Sequence, residues 1–497
     1  LVFTYTIQAG QTDANGISLD ANALSLNGGT ITDAAGNAAA LTAAAVADNA
    51  SYKVDTAAPT VSSEAITSAT GAQNNTLNAG DVVSVTVSFS ESVTVTGTPQ
   101  LALNIGGTPV QASYASGSGS SQLVFTYTIQ AGQTDANGIS INANALSLNG
   151  GTITDAAGNA AALTATAVAD NASYKVDTAA PTVSSEAITS ATGAQNNTLN
   201  AGDVVSVTVT FSESVTVTGT PQLALNVGGT PVQASYASGS GSSQLVFTYT
   251  IQAGQTDANG ISINANALSL NGGTITDAAG NAAVLTAAAV ADDASYKVDT
   301  AAPTVSNEAI TSATGAQNGT LNAGDVVSVT VTFGESVTVT GTPQLALNIG
   351  GTPVQASYAS GSGSTQLVFT YTIQAGQTDA NGISIDANAL SLNGGTITDA
   401  AGNAAVLTAA AVADNASYKV DTAAPTVSSE AITSATGAQN GTLNAGDVVS
   451  ITVSFSESVT VTGTPQLVLN IGGTPVQASY ASGSGGTQLV FTYTIQA

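Results

Sequence analysis

DVVSVTVSFSE, residues 81–91, alternates apolar with polar from Val83 to Ser90. Val83, Val85, Val87 and Phe89 fall on one side of an extended chain, and Ser84, Thr86 and Ser88 on the other. Successive side chains of a strand point to opposite faces, so this spacing sets an apolar row against a core and a hydroxyl row in water. The pattern continues outward. In LVFTYTIQ, Leu123, Phe125, Tyr127 and Ile129 alternate with Val124, Thr126 and Thr128; Leu101, Leu103 and Ile105 do the same, as do Val110, Ala112 and Tyr114, and Leu146 and Leu148. Turn-forming breaks separate these runs: Thr98-Pro99, Gly106-Gly107, residues 117–121, Asn137-Gly138, Gly150-Gly151 and Gly158-Asn159. The spacing predicts seven strands, near 60–67, 82–90, 100–105, 109–115, 122–130, 144–154 and 172–176. Seven short antiparallel strands in one domain-sized unit predict an immunoglobulin-like β-sandwich. Residues 160–168 fit either an extra strand or one or two helical turns.

The unit recurs. LVFTYTIQ begins at Leu1, Leu123, Leu245, Leu367 and Leu489, a step of 122 residues. VDTAAPTVS keeps the same step, with its aspartate at Asp55, Asp177, Asp299 and Asp421. A solenoid repeat runs about 20–50 residues, whereas this period is that of a whole domain with its own core. The chain therefore divides into a C-terminal part of a repeat (1–54), three complete repeats (55–176, 177–298 and 299–420) and an N-terminal part of a fifth (421–497), an end-to-end array of all-β domains. Both ends fall inside a unit, which suggests a section of a longer array. The copies differ by mild swaps, such as Ser88 to Thr210 and Asn75 to Gly319. A site needed once would be written once, so whatever the array does, every unit does.

Composition narrows the function. Four basic residues face 31 acidic ones, for a net charge of −27. Phosphate binding needs Lys and Arg, so nucleic acid is excluded as a partner, and docking on anionic membrane is disfavoured. No stretch approaches the roughly 20 apolar residues of a membrane-spanning helix. Cys and His are absent, which removes disulfides, thiolate metal sites and the usual nucleophile–base pairs. A carboxylate pair could serve a glycosidase, but aromatic residues are 4% of the chain and are used up in strands. The sequence reads as non-enzymatic. Its threonine rows read as ordinary solvent-facing strand positions rather than an ice-binding face.

The stretches DTAAPTV, NAGDVVSVTVSFSESVTVTGTPQLALNIGG, LVFTYTIQ and LSLNGGTITDAAGNAA resemble the bacterial immunoglobulin-like repeats of giant secreted surface proteins, in particular the SWM-type repeat of large adhesin-like proteins. The resemblance covers every repeat end to end. It implies a sandwich fold, a secreted, cell-surface or matrix location, one-step secretion and calcium-dependent rigidity. It fixes no ligand, because adhesion in that family usually resides in separate terminal modules.

The acids are ordered. Seven positions recur in each period: Asp55, Glu64, Asp81, Glu91, Asp135, Asp155 and Asp170. In an antiparallel sandwich the linker aspartate, the end of the 82–90 strand and the loop after 144–154 share one pole. Asp55, Glu91 and Asp155 should converge there, as should Asp177, Glu213 and Asp277, then Asp299, Glu335 and Asp399, with Asp421 and Glu457 beginning the next set. Asp33 is the loop member in 1–54. The opposite pole carries Asp135 and Asp257, with Asp81, and these should face the next unit's carboxylates. Bare carboxylates this close repel, and a hard cation with six to eight oxygen ligands would use them. Calcium suits such ligands; zinc, which favours Cys and His, does not. The competing reading is that these Asp and Asn residues only build turns through Asx hydrogen bonds. Asp81 and Asp170 are the weakest ligand candidates, and Glu64 reads as solvated. Lys53, Lys175, Lys297 and Lys419 read equally as braces for the junction charge or as exposed guard charges on a terminal strand.

The partners expected are neighbouring repeats of the same chain, with other copies laterally as the second candidate. Two functions fit: an extender in a long adhesin, or a building block of a fibre, sheath or surface layer such as a biofilm matrix.

Overall fold

A computed structural model describes all residues, 1–497. Every regular element is a strand, and the chain is a tandem set of β-sandwiches recurring at the sequence period. The chain forms two compact units, Leu1–Asp299 and Thr300–Ala497.

In the first unit, residues 55–176 show the plan. Val82–Thr96 is the organising strand. Over residues 82–88 it lies between Val61–Thr70 and Ser120–Thr128, antiparallel to both. Its register then breaks between Ser88 and Val93, and residues 94–96 pair instead with Thr152–Thr154. The sheet continues from Ser120–Thr128 through Thr108–Ser116 and Gln100–Ile105 to Ser140–Ser147, seven strands that curl around one core. A second, three-stranded sheet centres on Lys175–Asp177, antiparallel to Thr134–Asp135 but parallel to Thr76–Leu77. That parallel pair departs from the fully antiparallel expectation. Residues 177–298 repeat the arrangement.

The alternating residues point as their spacing predicts. Val83, Val85, Val87, Phe89, Leu123 and Phe125 are all buried in one cluster with Leu101, Leu103 and Ile153. Tyr114 meets Phe125 edge-on, with centroids 5.9 Å apart, an arrangement aromatic quadrupoles favour. The strand expected over 144–154 is two strands, Ser140–Ser147 and Thr152–Thr154. Asn149 and Gly150, at φ 49° and 81°, turn the chain between them; Asn and Gly tolerate this left-handed conformation best. Residues 160–168 are neither helix nor strand; they run along the sandwich on isolated bridges, Thr60 to Ala162 and Ile141 to Val168.

The second unit follows the same plan over 300–420, with a seven-stranded and a three-stranded sheet. Residues 421–497 add a five-stranded sheet, from Val427–Thr436 through Val448–Val459 to Gln466–Ile471.

Candidate metal centre

Three features of the fold build the site. The register break in Val82–Thr96 frees Glu91 from the ladder. Asp155 stands directly after Thr152–Thr154, at the start of the tight turn Asp155-Ala156-Ala157-Gly158-Asn159. Asp55 ends the short strand Val54–Asp55. One carboxylate oxygen from each of Asp55, Glu91 and Asp155 lies within 4.8 Å of the others, and Asp177, Glu213 and Asp277 meet in the same way.

Asparagine fixes the loop member. The Asn159 amide Nδ2 donates to Asp155 Oδ2 at 2.7 Å and to the Asp55 carbonyl at 3.0 Å, while the Asn159 backbone N–H donates to Asp155 Oδ1 at 2.9 Å. Asn281 repeats all three contacts with Asp277 and Asp177. The linker carboxylate is oriented too, since Asp177 Oδ1 accepts the Ala179 N–H at 3.0 Å. Burial raises the Asp155 carboxyl, but the bonds from Asn159, Ala157 and Gly158 outweigh it and hold the group below its ordinary value. Glu213 moves the other way: burial, then the charges of Asp177 and Asp277, push it up, and Glu91 is raised by burial, Asp55 and Asp155. Each cluster thus combines two aspartates fixed by hydrogen bonds with a glutamate under like-charge repulsion. Oxygen-only donors of this kind fit a hard divalent cation.

The other predicted residues are distributed as follows. Asp299 closes Lys297–Asp299. Glu335 lies within Val326–Thr340, and Asp399 follows Thr396–Thr398, its oxygens accepting Asn403 N–H and Nδ2 at 2.8 Å each. Asp421 accepts the Ala423 N–H and Glu457 lies in Val448–Val459, while residues 421–497 contain no counterpart of Asp155. Asp33 sits in its turn with the same Asn37 bonds, which lower its pKa, and 1–54 contains no counterpart of Glu91.

Asp135 and Asp257 are not brought to either cluster. Asp135 is buried, with Oδ2 accepting the Gly106 N–H at 2.8 Å and Oδ1 accepting Asn137 and Gly138 N–H groups. Asp257 does the same with Gly228, Asn259 and Gly260. Each ties two turns of its own repeat together, as the Asx reading anticipates. Asp81 likewise caps its own turn, accepting the Asn78 N–H at 2.8 Å. What reaches the following repeat is asparagine instead. Asn74 Nδ2 donates to the Ala278 carbonyl at 3.0 Å and Asn78 Nδ2 to the Ala279 carbonyl at 2.9 Å. Both acceptors belong to the turn that carries Asp277. Attention to acidic residues alone misses this pair; the signal was the Asn74 and Asn78 positions recurring at every period. Glu64, read from the sequence as solvated, is buried, as are Glu186 and Glu308. Lys175 is exposed and its backbone N–H donates to the Asn75 carbonyl at 2.9 Å.

No family model and no curated protein sequence matches the chain. Among solved structures, it is similar to part of a bacterial ice-binding adhesin described for host cell surface retention, at 16% identity over 70% of this chain and 95% of that one, TM-score 0.32. A tetra-tandem repeat from the extending region of a large adhesion protein aligns at 13% identity over 88% and 91%, TM-score 0.20. The three N-terminal domains of the bacteriophage RB49 highly immunogenic outer capsid protein align at 10% identity over 73% and 100%, TM-score 0.26.

Proposed function

We propose that this chain is a non-enzymatic structural extender of a long bacterial surface adhesin or matrix protein, with calcium at the repeated carboxylate clusters stiffening the joints. One observation carries the reading. Asp177 ends a strand of the three-stranded sheet built by residues 76–177, while its carboxylate meets Glu213 and Asp277 of the next repeat. A cation there would join the two repeats. The turn that supplies Asp277 is also gripped from the preceding repeat by Asn74 and Asn78. Binding that orders this turn therefore orders the joint, and an ion that binds only the ordered state stabilises it by mass action. The repetition of the same residues at every period fits a role set by length and number.

Calorimetric titration of the chelator-stripped chain with calcium tests this. Saturable binding at several equivalent sites is expected. Asp177→Ala should remove one site while the strand signal in circular dichroism persists. No saturable binding by the parent chain, or an isotherm unchanged by the substitution, refutes calcium at the joint. Loss of the strand signal would instead place Asp177 in the architecture of its own sandwich.

A further inference from the structure

Glu64, Glu186 and Glu308 lie on strands at the edge of their sheets, opposite Val87, Val209 and Val331 in register. Their side chains face inward beside Ile66, Ile188 and Ile310, and only 9%, 9% and 6% of their surface is exposed. Both carboxylate oxygens of each are buried and make no hydrogen bond. Buried polar groups are nearly always paired, so three copies of an unpaired carboxylate need a reason.

The cover supplies one. Residues 160–168 lie beside Glu64, and the space between them is a groove open to solvent, of about 350 Å³, lined by Val61, Ser62, Ser63, Thr164, Ala165 and Thr166. The matching grooves beside Glu186 and Glu308 hold about 250 and 130 Å³. The cover is tied at its ends, by Ala162 N–H to the Pro59 carbonyl and by the mutual Ile141–Val168 pair. Between them it is held at Ala165, which exchanges bonds with Asn144, itself in the left-handed region at φ 59°. Glu64 and residues 164–166 of the cover line the same space.

We propose that Glu64, Glu186 and Glu308 are proton-operated latches: a neutral carboxyl lets residues 160–168 and their counterparts close over the edge strand, and an ionised one releases them. A buried charge without a partner is unfavourable, while lifting the covering segment rehydrates it. The residues lining the space beside Glu64 are Val61, Ser62, Ser63, Thr164, Ala165 and Thr166, with Val87 across the ladder, none of them charged. Asp170, where the covering segment ends, is exposed. Burial alone pushes all three glutamates up to about 7. The sign follows: a folded-state pKa above the unfolded one gives stability that is full in acid and lost as pH rises toward 7. An inward charge on an edge strand also deters pairing with other chains; a purely protective role would leave the cover indifferent to pH.

Hydrogen exchange on the full chain, read by mass spectrometry with calcium saturating and again in chelator, separates these. After correction for intrinsic rates, protection of residues 160–168, 282–290 and 404–412 should fall about ten-fold or more between pH of about 5.5 and 8.5, since each unit of pKa displacement is a factor of ten. Replacing the three glutamates together (E64Q, E186Q, E308Q) should abolish the fall. Protection flat with pH, or a fall that survives in the variant, overturns the proposal. If the variant does not fold, a carbon-13 titration of glutamate carboxyls in the parent decides: Glu64, Glu186 and Glu308 should titrate near neutrality, and titration in the ordinary carboxylate range refutes the latch.

Discussion

At residue 334 the repeats part company in a way that tests the local chemistry. Ser90, Ser212 and Ser456 each accept a backbone N–H through Oγ at 3.0 Å, from Thr60, Thr182 and Thr426. Gly334 holds the same place without a hydroxyl, and a Cβ there would first meet Thr304 Oγ1 at a comfortable 3.7 Å. Gly334→Ser should stabilise its repeat by about 1–2 kcal/mol, combining a relieved strand glycine with one hydrogen bond. Thermal unfolding should rise by a few degrees; an unchanged or lower midpoint contradicts the assigned contact. Glu213 makes a second prediction at this scale. Its raised carboxyl reflects burial first and then Asp177 and Asp277. In chelator it should erode stability as pH rises from the unfolded carboxylate value toward the raised one, and not as pH falls. Calcium needs the ionised form, so its stabilising effect should widen over the same interval. Melting curves with and without calcium across pH measure this gap. Glu213→Gln should narrow it, and an unaltered gap would remove Glu213 from the ligand set.

Among the elements, the strand pair formed by Thr216–Thr218 with Thr274–Thr276 positions the cluster. Gly273 sits so close to it that a Cβ would run into the Thr218 carbonyl. Gly273→Ala should therefore push Thr274–Thr276 away, destabilise the repeat by about 1–3 kcal/mol, and weaken calcium binding by shifting Asp277. The main sheet, with Val205, Val207, Val209 and Phe247 in its core, should survive. Unaltered affinity would mean that the strand pair does not set the Asp277 position. How much of this was legible depends on the length of the signal. Val83 to Phe89 and Leu123 to Ile129 give several turns of period two, and their inward faces follow from that alternation. The convergence of Asp55, Glu91 and Asp155 follows from antiparallel connectivity. What escaped was set by tertiary contact. The partition of 144–154 depends on one Asn-Gly turn, and Asp135 is held by Gly106, distant in sequence. Glu64 lies beside residues 160–168, AAALTATAV, whose short alternation of Leu163 and Ala165 with Thr164 and Thr166 says nothing of which neighbour it covers.

For the whole molecule, the decisive quantity is number. The chain carries 31 acids and four bases, and the same carboxylate positions return with each repeat. Any affinity that one repeat held for a glycan or for another copy would be multiplied along the chain by avidity. The extender reading demands that this multiplied affinity stay negligible; a fibre, sheath or surface layer demands the reverse. Identical sandwiches add a hazard of their own, because LVFTYTIQ of one repeat can take its neighbour's place during folding, and inward Glu64 on the edge strand is one guard against wrong pairing. Sedimentation of the calcium-loaded 497-residue chain over a wide concentration range, together with a glycan array, separates the readings. The extender predicts single chains throughout and no saturable glycan signal. Concentration-dependent bundles would favour the matrix polymer, and saturable glycan binding would make each repeat a lectin-like module. Net charge decides the expectation: at −27, unneutralised chains repel one another. Bundling, if it occurs, should therefore need calcium in excess of what the carboxylate clusters hold.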